Sequence, residues 1–251
     1  MDWNEKRNSQ IMGKLKKLIV YIKSFFWALT QKSSPSNSKK KEILIIRLDA
    51  IGDFCIWLHS AIRIQKVFSK RYISYITLLG NKLWIDLAKK TLDFDNYMAV
   101  NRNDLLTNDS YRKNIIRDIC KTEYEQVLHP TYSREFFADL IVLATTSKKK
   151  IGHLGDTSTI NSYLREFTNF FYHQLIITDS IYDMEIKHNA EFIRQALDEN
   201  CYEKLVDFSS NFSSKNSQKD QLVIFPGASW DGKRWPIEKY SELIREIKKF
   251  S

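Results

Sequence analysis

The sequence contains few cysteines, no metal-ligand spacing and no long uninterrupted apolar run. Its 251 residues include only Cys55, Cys120 and Cys201, which are far apart. This spacing excludes a disulfide framework and indicates a reducing compartment. The five histidines are equally scattered, and no pair has the spacing of a metal site. The apolar runs near the N-terminus are short and are divided by Lys23, which excludes a membrane-spanning helix there.

Glycine is also scarce, with seven residues in the chain. The fingerprint G-x-G-x-x-G of dinucleotide enzymes does not occur, and the first predicted strand-to-helix turn offers only Gly52. Its absence argues against an oxidoreductase that uses a nucleotide cofactor.

Positive charge is concentrated at the N-terminus. The chain has a formal net charge of +9, and residues 1–42 carry +7 of it, because ten lysines and arginines face three acidic residues there. A basic arm suggests an anionic partner surface, either a membrane or nucleic acid. The remaining residues carry only +2, which argues against nucleic-acid binding by the body of the protein.

Residues 11–30 are predicted to form a basic amphipathic helix with an apolar stripe. The stripe consists of Leu15, Leu18, Ile19, Ile22, Phe25, Phe26 and Leu29. This composition is typical of a helix that lies in a membrane interface, and it is equally typical of a helix that packs on the protein's own body. Residues 31–41 are rich in Ser and Lys and are predicted to be a linker.

The rest of the chain is organised around residues 41–53. Residues 43–46 are apolar and mostly β-branched, as in a strand buried on both faces, and helical spacing begins at Phe54. A tight turn at Gly52 is predicted between them, at the sheet edge where α/β proteins bind ligands. Asp53 at the helix start either caps the helix or is a general base for a substrate hydroxyl.

Strands alternate with helices along the body, which predicts an α/β domain with a parallel sheet of Rossmann type. Residues 158–182 are rich in aromatics and are predicted to be irregular, whereas residues 187–200 are predicted to be a helix. The polar stretch 209–220 is interpreted as a linker between a domain over 43–208 and a second, incomplete domain over 221–251. That second domain is predicted to begin with a strand over 222–225 and a helix from Pro236.

A second motif, FPGASWDGKRWP, occupies residues 225–236. It combines Gly227, the Ser229 hydroxyl and the cations Lys233 and Arg234 after a predicted strand, which are the groups that a diphosphate requires. The alternative is a solvated basic loop with Trp235 packed beneath it.

Together, the stretch RLDAIGD at 47–53 and PGASWDGKRWP at 226–236 resemble the two signature regions of glycosyltransferase family 9, the ADP-heptose:lipopolysaccharide heptosyltransferases. The resemblance covers residues 42–251. It implies a GT-B fold, in which two Rossmann-like domains face each other across a cleft. It also implies inverting, metal-independent transfer of a heptose or related sugar from an ADP-activated donor to a lipopolysaccharide core or other lipid-linked saccharide.

The resemblance also assigns roles to individual residues. Asp53 matches the proposed general base, and Lys233, with Ser229 and Gly227, matches the contacts to the donor diphosphate. Arg47, Asp49 and Gly52 are expected to support the turn or the acceptor. No metal and no cofactor other than the nucleotide-sugar is expected.

The sequence departs from the family at its C-terminal end, because the D-S/T-G-x-x-H segment that completes the donor site is not present. A truncated transferase of a bacterial lipopolysaccharide pathway is therefore expected, on the cytoplasmic face of the membrane and peripherally associated through residues 11–30. The alternative is a non-catalytic remnant that binds a membrane or a partner.

Overall fold

The computed structural model describes residues 3–31, 40–71, 74–178, 184–206, 223–228 and 231–247. The chain divides into two compact units, Met1–Val206 and Asp207–Ser251. Each unit is described by itself below.

The first unit is built on a six-stranded sheet in which every neighbouring pair of strands is parallel. The strands are β1 (Lys41–Arg47), β2 (Ser74–Asn81), β3 (Asn96–Val100), β4 (Tyr124–His129), β5 (Ser147–His153) and β6 (Gln174–Ile176). Their order across the sheet is β3-β2-β1-β4-β5-β6, the doubly wound Rossmann order. The predicted parallel α/β domain is confirmed.

Helices cover both faces of this sheet. They are α1 (Trp3–Leu29), α2 (Ile51–Arg71), α3 (Ile85–Thr91), α4 (Arg102–Thr107), α5 (Asp109–Ile119), α6 (Phe136–Ala144), α7 (Ser162–Asn169) and α8 (Glu185–Leu197). Helices α2 and α8 pack together on one face, while α1, α5 and α7 contact α6 on the other. Both faces of the sheet are therefore shielded from water.

The central strand β1 shows why the sheet must be covered on both sides. Its residues Ile43, Leu44, Ile45 and Ile46 are fully buried, and successive side chains of a strand point to opposite faces. Leu44 and Ile46 join the core that includes α6, so Ile43 and Ile45 face α2 and α8. The expected strand buried on both faces is confirmed.

Helix α1 packs on the body of the first unit. The Tyr21 ring stacks on Phe136 of α6 with centroids 4.1 Å apart, and Phe25 lies 5.0 Å from Phe167 of α7. Ser24 and Ala28, on the same side of the helix, are buried. Of the two alternatives for this helix, packing on the body is observed.

The segment predicted to be irregular contains regular structure. Residues 162–169 form α7 and residues 174–176 form β6, so the prediction for this part of the chain was wrong. Asn161 caps α7 by accepting a hydrogen bond from the Leu164 amide at 2.9 Å. The inner side of α7 includes the buried polar residues Arg165 and Thr168. Because these residues are not apolar, the sequence shows no apolar helical periodicity on this side of the segment.

The second unit contains a 3₁₀ turn, Asp231–Lys233, and helix α9, Ile237–Ile247. The helix expected from Pro236 is confirmed. The strand expected over 222–225 is not formed by its described residues, which start at 223, because no described segment of this unit lies alongside to pair with them. Throughout the described part of the chain, no helix combines the length and apolarity needed to cross a membrane.

Candidate functional site

The candidate site of the first unit lies at the carboxyl edge of the sheet, where β1 ends at Arg47. The Arg47 side chain is fully buried and donates hydrogen bonds to Asn189 Oδ1 at 2.8 Å and to the Pro130 carbonyl at 3.3 Å. A further bond of 3.4 Å reaches the carbonyl of Asp53. One guanidinium therefore joins β1, the start of α2, the segment after β4, and α8.

Two carboxylates share one nitrogen of this guanidinium. Arg47 Nη2 lies 2.8 Å from Asp49 Oδ2 and 3.0 Å from Glu185 Oε1. The guanidinium carbon also lies 5.1 Å from the centroid of the buried Trp57 ring. Arg47 is thus neutralised, stacked and held in one orientation, as a buried charge requires.

The loop between β1 and α2 is fixed by side chains from the end of the neighbouring strand β2 and from the segment that follows it. Asn81 donates to the carbonyls of Leu48 and Asp49 at 3.1 and 3.0 Å, and Trp84 Nε1 donates to the Asp49 carbonyl at 2.9 Å. These hydrogen bonds satisfy backbone carbonyl oxygens that lie beyond the end of β1, where a neighbouring strand donates no hydrogen bond to them. The expected support of the turn therefore comes from β2 as well as from Arg47.

Asp53 is half-buried in the first turn of α2, and its Oδ2 accepts a hydrogen bond from the Ala50 amide at 3.2 Å. An acidic side chain that reaches back to the residue before the helix is one half of a capping box. The capping interpretation of Asp53 is therefore observed. Its second carboxylate oxygen makes no hydrogen bond to a described residue, so a capping Asp53 can also face a substrate.

Gly52 does not form the sharp turn expected of it. It lies inside the first turn of α2, and its φ angle is not among the positive values found in the described residues. A Cβ atom added at Gly52 would meet nothing within 4 Å. The turn is made by residues 48–50, and Gly52 instead leaves open space beside Asp53.

Asp49 is the titratable group that this environment perturbs most clearly at the site. Burial raises the pKa of Asp49 from its usual 3.8 to about 6, although the positive charge of Arg47 lowers it. Its Oδ1 atom is buried without a partner among the described residues. It lines a cavity of about 30 Å³ together with Thr131, Ser133 and Glu135. A cavity of this size holds one group of about the size of a water molecule or a hydroxyl.

We expect Asp49→Asn to change how stability depends on pH. The pKa of Asp49 is raised in the folded state, so the folded protein binds this proton more tightly than the unfolded chain does. Its stabilisation is present below about pH 4 and is lost as the pH rises through about 6, a change of about 2–3 kcal/mol. Urea unfolding of both proteins between pH 4 and 7.5 should show the variant gaining stability relative to wild type by that amount. The same change at exposed Asp118 serves as the control, and a pH-independent difference at Asp49 would contradict the assignment.

A second buried polar network lies behind the site, between β4, α6 and the segment after α7. Tyr172 donates a hydrogen bond of 2.5 Å to Asp139 Oδ1 and lies 2.7 Å from His129 Nδ1. Arg134 lies 3.5 Å from the same Asp139 oxygen and donates to Asn169 at 2.5 Å. All of its charged members are buried, so the network fixes the end of β4 without exposing a reactive group.

The second unit presents a different arrangement of charge. Lys233 ends the 3₁₀ turn and is exposed, and no described side chain pairs with it. Its neighbour Arg234 forms an ion pair of 3.1 Å with Asp231. Gly227 is also exposed, with open space where a Cβ would stand. Ser229 lies outside the described residues.

The aromatic side chain of this loop packs on α9. The Trp235 ring lies 4.9 Å from that of Tyr240 in an edge-on arrangement, and it remains 45% exposed. The loop leads directly into the N-terminus of α9. Backbone amides and the helix dipole favour the binding of an anion at that end. Lys233 is the described cation available beside that end.

Two members of the first site were missed in the sequence. Glu185 and Asn189 lie one turn apart at the start of α8 and reach Arg47 across about 140 residues of chain. Nothing near Arg47 in the sequence identifies them. The sequence could predict only the helix that carries these two residues. A helix that follows the last strand of a doubly wound sheet packs back over that sheet, and so it comes close to β1. Among the described residues, no group of three or more His, Cys, Asp or Glu side chains could hold a metal ion.

A comparison with protein families finds one matching model over more than half of the chain. The model is that of glycosyltransferase family 9 (heptosyltransferase), and it matches residues 112–251. Among curated protein sequences, none matches the chain.

Solved structures with the same fold include two heptosyltransferases and a member of the same glycosyltransferase family. They are the E. coli heptosyltransferase WaaC with ADP (14% identity, TM-score 0.57), a family 9 glycosyltransferase from Veillonella parvula DSM 2008 (14%, 0.58) and the E. coli ADP-heptose lps heptosyltransferase II (14%, 0.51). The matches cover 82%, 86% and 84% of this chain. The chain spans only 63%, 62% and 62% of the three structures. The expected α/β fold of GT-B type is confirmed.

Proposed function

Because the chain belongs to glycosyltransferase family 9, we propose that it serves in glycosyl transfer from a nucleotide-activated sugar to a saccharide acceptor. The finer proposal is an inverting transfer of a heptose or related sugar from an ADP-activated donor to a lipid-linked saccharide such as a lipopolysaccharide core. One similar structure holds ADP, and another is an ADP-heptose lps heptosyltransferase, which supports this choice of donor.

The first unit is proposed to bind the acceptor and to supply the base. The Asp53 carboxylate takes the proton of the acceptor hydroxyl, whose oxygen attacks the anomeric carbon while the bond from that carbon to the diphosphate breaks. Attack on the side opposite to the leaving group inverts the configuration. The network of Arg47 holds the backbone of Asp53, and Asp49 faces a cavity that suits a hydroxyl group.

The second unit is proposed to hold the diphosphate of the donor. The observation that carries this proposal is that Lys233 is exposed and has no described partner at the loop before α9, whereas Arg234 is already paired with Asp231. An ammonium group and backbone amides neutralise the charge that develops on the departing diphosphate. We therefore propose that transfer requires neither a metal nor a further cofactor.

The alternative is a non-catalytic module that binds a membrane or a partner. A module that evolved to stand alone would cover the apolar side chains that lie outside its membrane- or partner-binding face. In α9, Ile237, Leu243 and Ile244 are instead 67%, 41% and 37% exposed. This exposure favours the transferase, in which α9 belongs to a donor domain with a larger core. We propose a cytoplasmic site of action, at the inner face of the membrane that carries the acceptor.

Calorimetric titration of the chain with ADP tests the donor proposal. We expect binding with a dissociation constant of about 1 mM or lower, weakened by about tenfold or more in Lys233→Ala because a charge-assisted contact is lost. Arg234→Ala is the matched control, since that cation is already paired, and its effect should be smaller. Equal affinity in wild type and Lys233→Ala would remove the diphosphate assignment.

A further inference from the structure

Helix α1 has two different sides. Its inner side packs on α6 and α7 through Tyr21 and Phe25. Its outer side is apolar and uncovered by any described residue, with side chains that are 43–63% exposed: Leu18, Ile19, Ile22, Phe26 and Leu29. An apolar stripe that faces away from the core needs another partner.

Helix α7 extends this apolar surface. Tyr163, Phe167 and Phe170 follow one another at helical spacing and are 85%, 40% and 88% exposed. A groove of about 570 Å³ between the two helices is lined by Leu18 of α1 and by Tyr163 of α7, so the two exposed sides are continuous. We call this surface, the five outer residues of α1 with Tyr163, Phe167 and Phe170, the aromatic face.

The charge around the aromatic face is positive overall, with three exposed lysines on α1 against one exposed carboxylate, Glu166, on α7. Lys16, Lys17 and Lys23 are exposed on α1, and Lys17 also lines the groove. The sequence has no acidic residue between Glu5 and Glu42. Apolar side chains bordered by lysines are complementary to a surface that is anionic outside and apolar beneath it.

We propose that the aromatic face docks on a bilayer that contains anionic phospholipids, with the phenylalanine rings entering the interface and the lysines contacting phosphate groups. A second copy of the chain fits the surface less well, because a symmetric pairing would bring together two faces that are each positive overall. The inference deepens the proposed function by naming how the first unit meets a membrane-borne acceptor, and it rests on that function for its purpose. Its test requires no sugar donor.

The proposal differs from attachment through a separate basic arm. Tyr21 and Phe25 hold α1 against the body, and part of the docking surface belongs to α7, which is far along the chain. Docking therefore sets the orientation of the whole first unit on the bilayer. A change at Phe170 should weaken binding even though this residue is 141 positions from Leu29 (170 − 29).

Co-sedimentation of the full chain with phospholipid vesicles tests the proposal. Three lysines, each contributing about fivefold and opposed by the single Glu166, predict about 25-fold stronger binding to vesicles with phosphatidylglycerol than to pure phosphatidylcholine. Phe26→Ser and Phe170→Ser should each weaken binding to the anionic vesicles by about tenfold. Both side chains are more than half exposed, so neither change should alter the unfolding midpoint.

Tyr202→Ser is the matched control, because Tyr202 is a 75% exposed aromatic residue on the opposite face of the sheet, next to Cys201, which lies 4.0 Å from Ser60 of α2. Its binding should equal that of wild type. Unchanged binding in Phe170→Ser, or equal binding to both vesicle types, would overturn the proposal. A dimer that Phe26→Ser dissociates would assign the face to a second copy instead. If the chain binds ADP but does not bind vesicles, the docking proposal is rejected and the proposed function is not.

Discussion

Asp53→Asn is expected to lower the turnover of sugar transfer by about two to four orders of magnitude, the usual contribution of a general base. The structure makes this substitution informative. Asp53 accepts the Ala50 amide through one oxygen, and the amide oxygen of Asn can accept the same bond. The variant therefore keeps the cap and loses the base. The assay needs an ADP-sugar and a lipid-linked acceptor.

A second variant distinguishes the role of Asp53 as a helix cap from its role as a general base. Asp53→Ala removes both, and it should lose about 1 kcal/mol of stability in addition to turnover. Asp53→Asn should unfold at nearly the same urea concentration as wild type. If Asp53→Asn keeps full turnover while Asp53→Ala is destabilised, Asp53 is a helix cap and another group takes the proton.

Asp139→Ala is expected to lower the free energy of unfolding by about 3–5 kcal/mol. Asp139 is fully buried, and burial alone would raise its pKa, but the neighbouring His129, 3.5 Å away, and the charge of Arg134 outweigh burial and lower the pKa. Removal of this carboxylate leaves the buried Arg134 without its counter-charge and Tyr172 without its acceptor. Urea unfolding at pH 7 measures the loss.

The control for this prediction is Asp118→Ala. Asp118 also lies in a helix of the same unit, but its ion pair with Lys121 is on the surface, with side chains 49% and 68% exposed. Exposed pairs contribute at most about 1 kcal/mol. A loss at Asp139 no larger than that at Asp118 would show that the buried network carries no special stability.

The elements with strong apolar patterns could be predicted from the sequence. Residues 136–144 are almost wholly apolar, and α6 has those limits. The strand at 43–46 and the helix from 236 carry equally clear patterns. Helix α7 could not be found in this way, because its inner side includes Arg165 and Thr168, which are polar in the sequence and yet buried in the folded protein.

The sequence predicted only those residues of the candidate site that lie close together in the chain. Arg47, Asp49 and Asp53 lie within seven residues and were identified from one stretch of sequence. Their roles depend on burial: the raised pKa of Asp49 and the complete enclosure of Arg47 arise from segments far along the chain. The predicted sharp turn at Gly52 was wrong because α2 begins one residue earlier, at Ile51.

The bonds of Arg47 also carry information about the order of folding. Its partners Pro130, Glu185 and Asn189 are 83, 138 and 142 residues away in sequence. Contacts of such high contact order require closure of very long loops, which is slow. The first unit therefore cannot complete its site until α8 is in place, and a chain released from synthesis before α8 has emerged would contain Arg47 without its Glu185 and Asn189 partners.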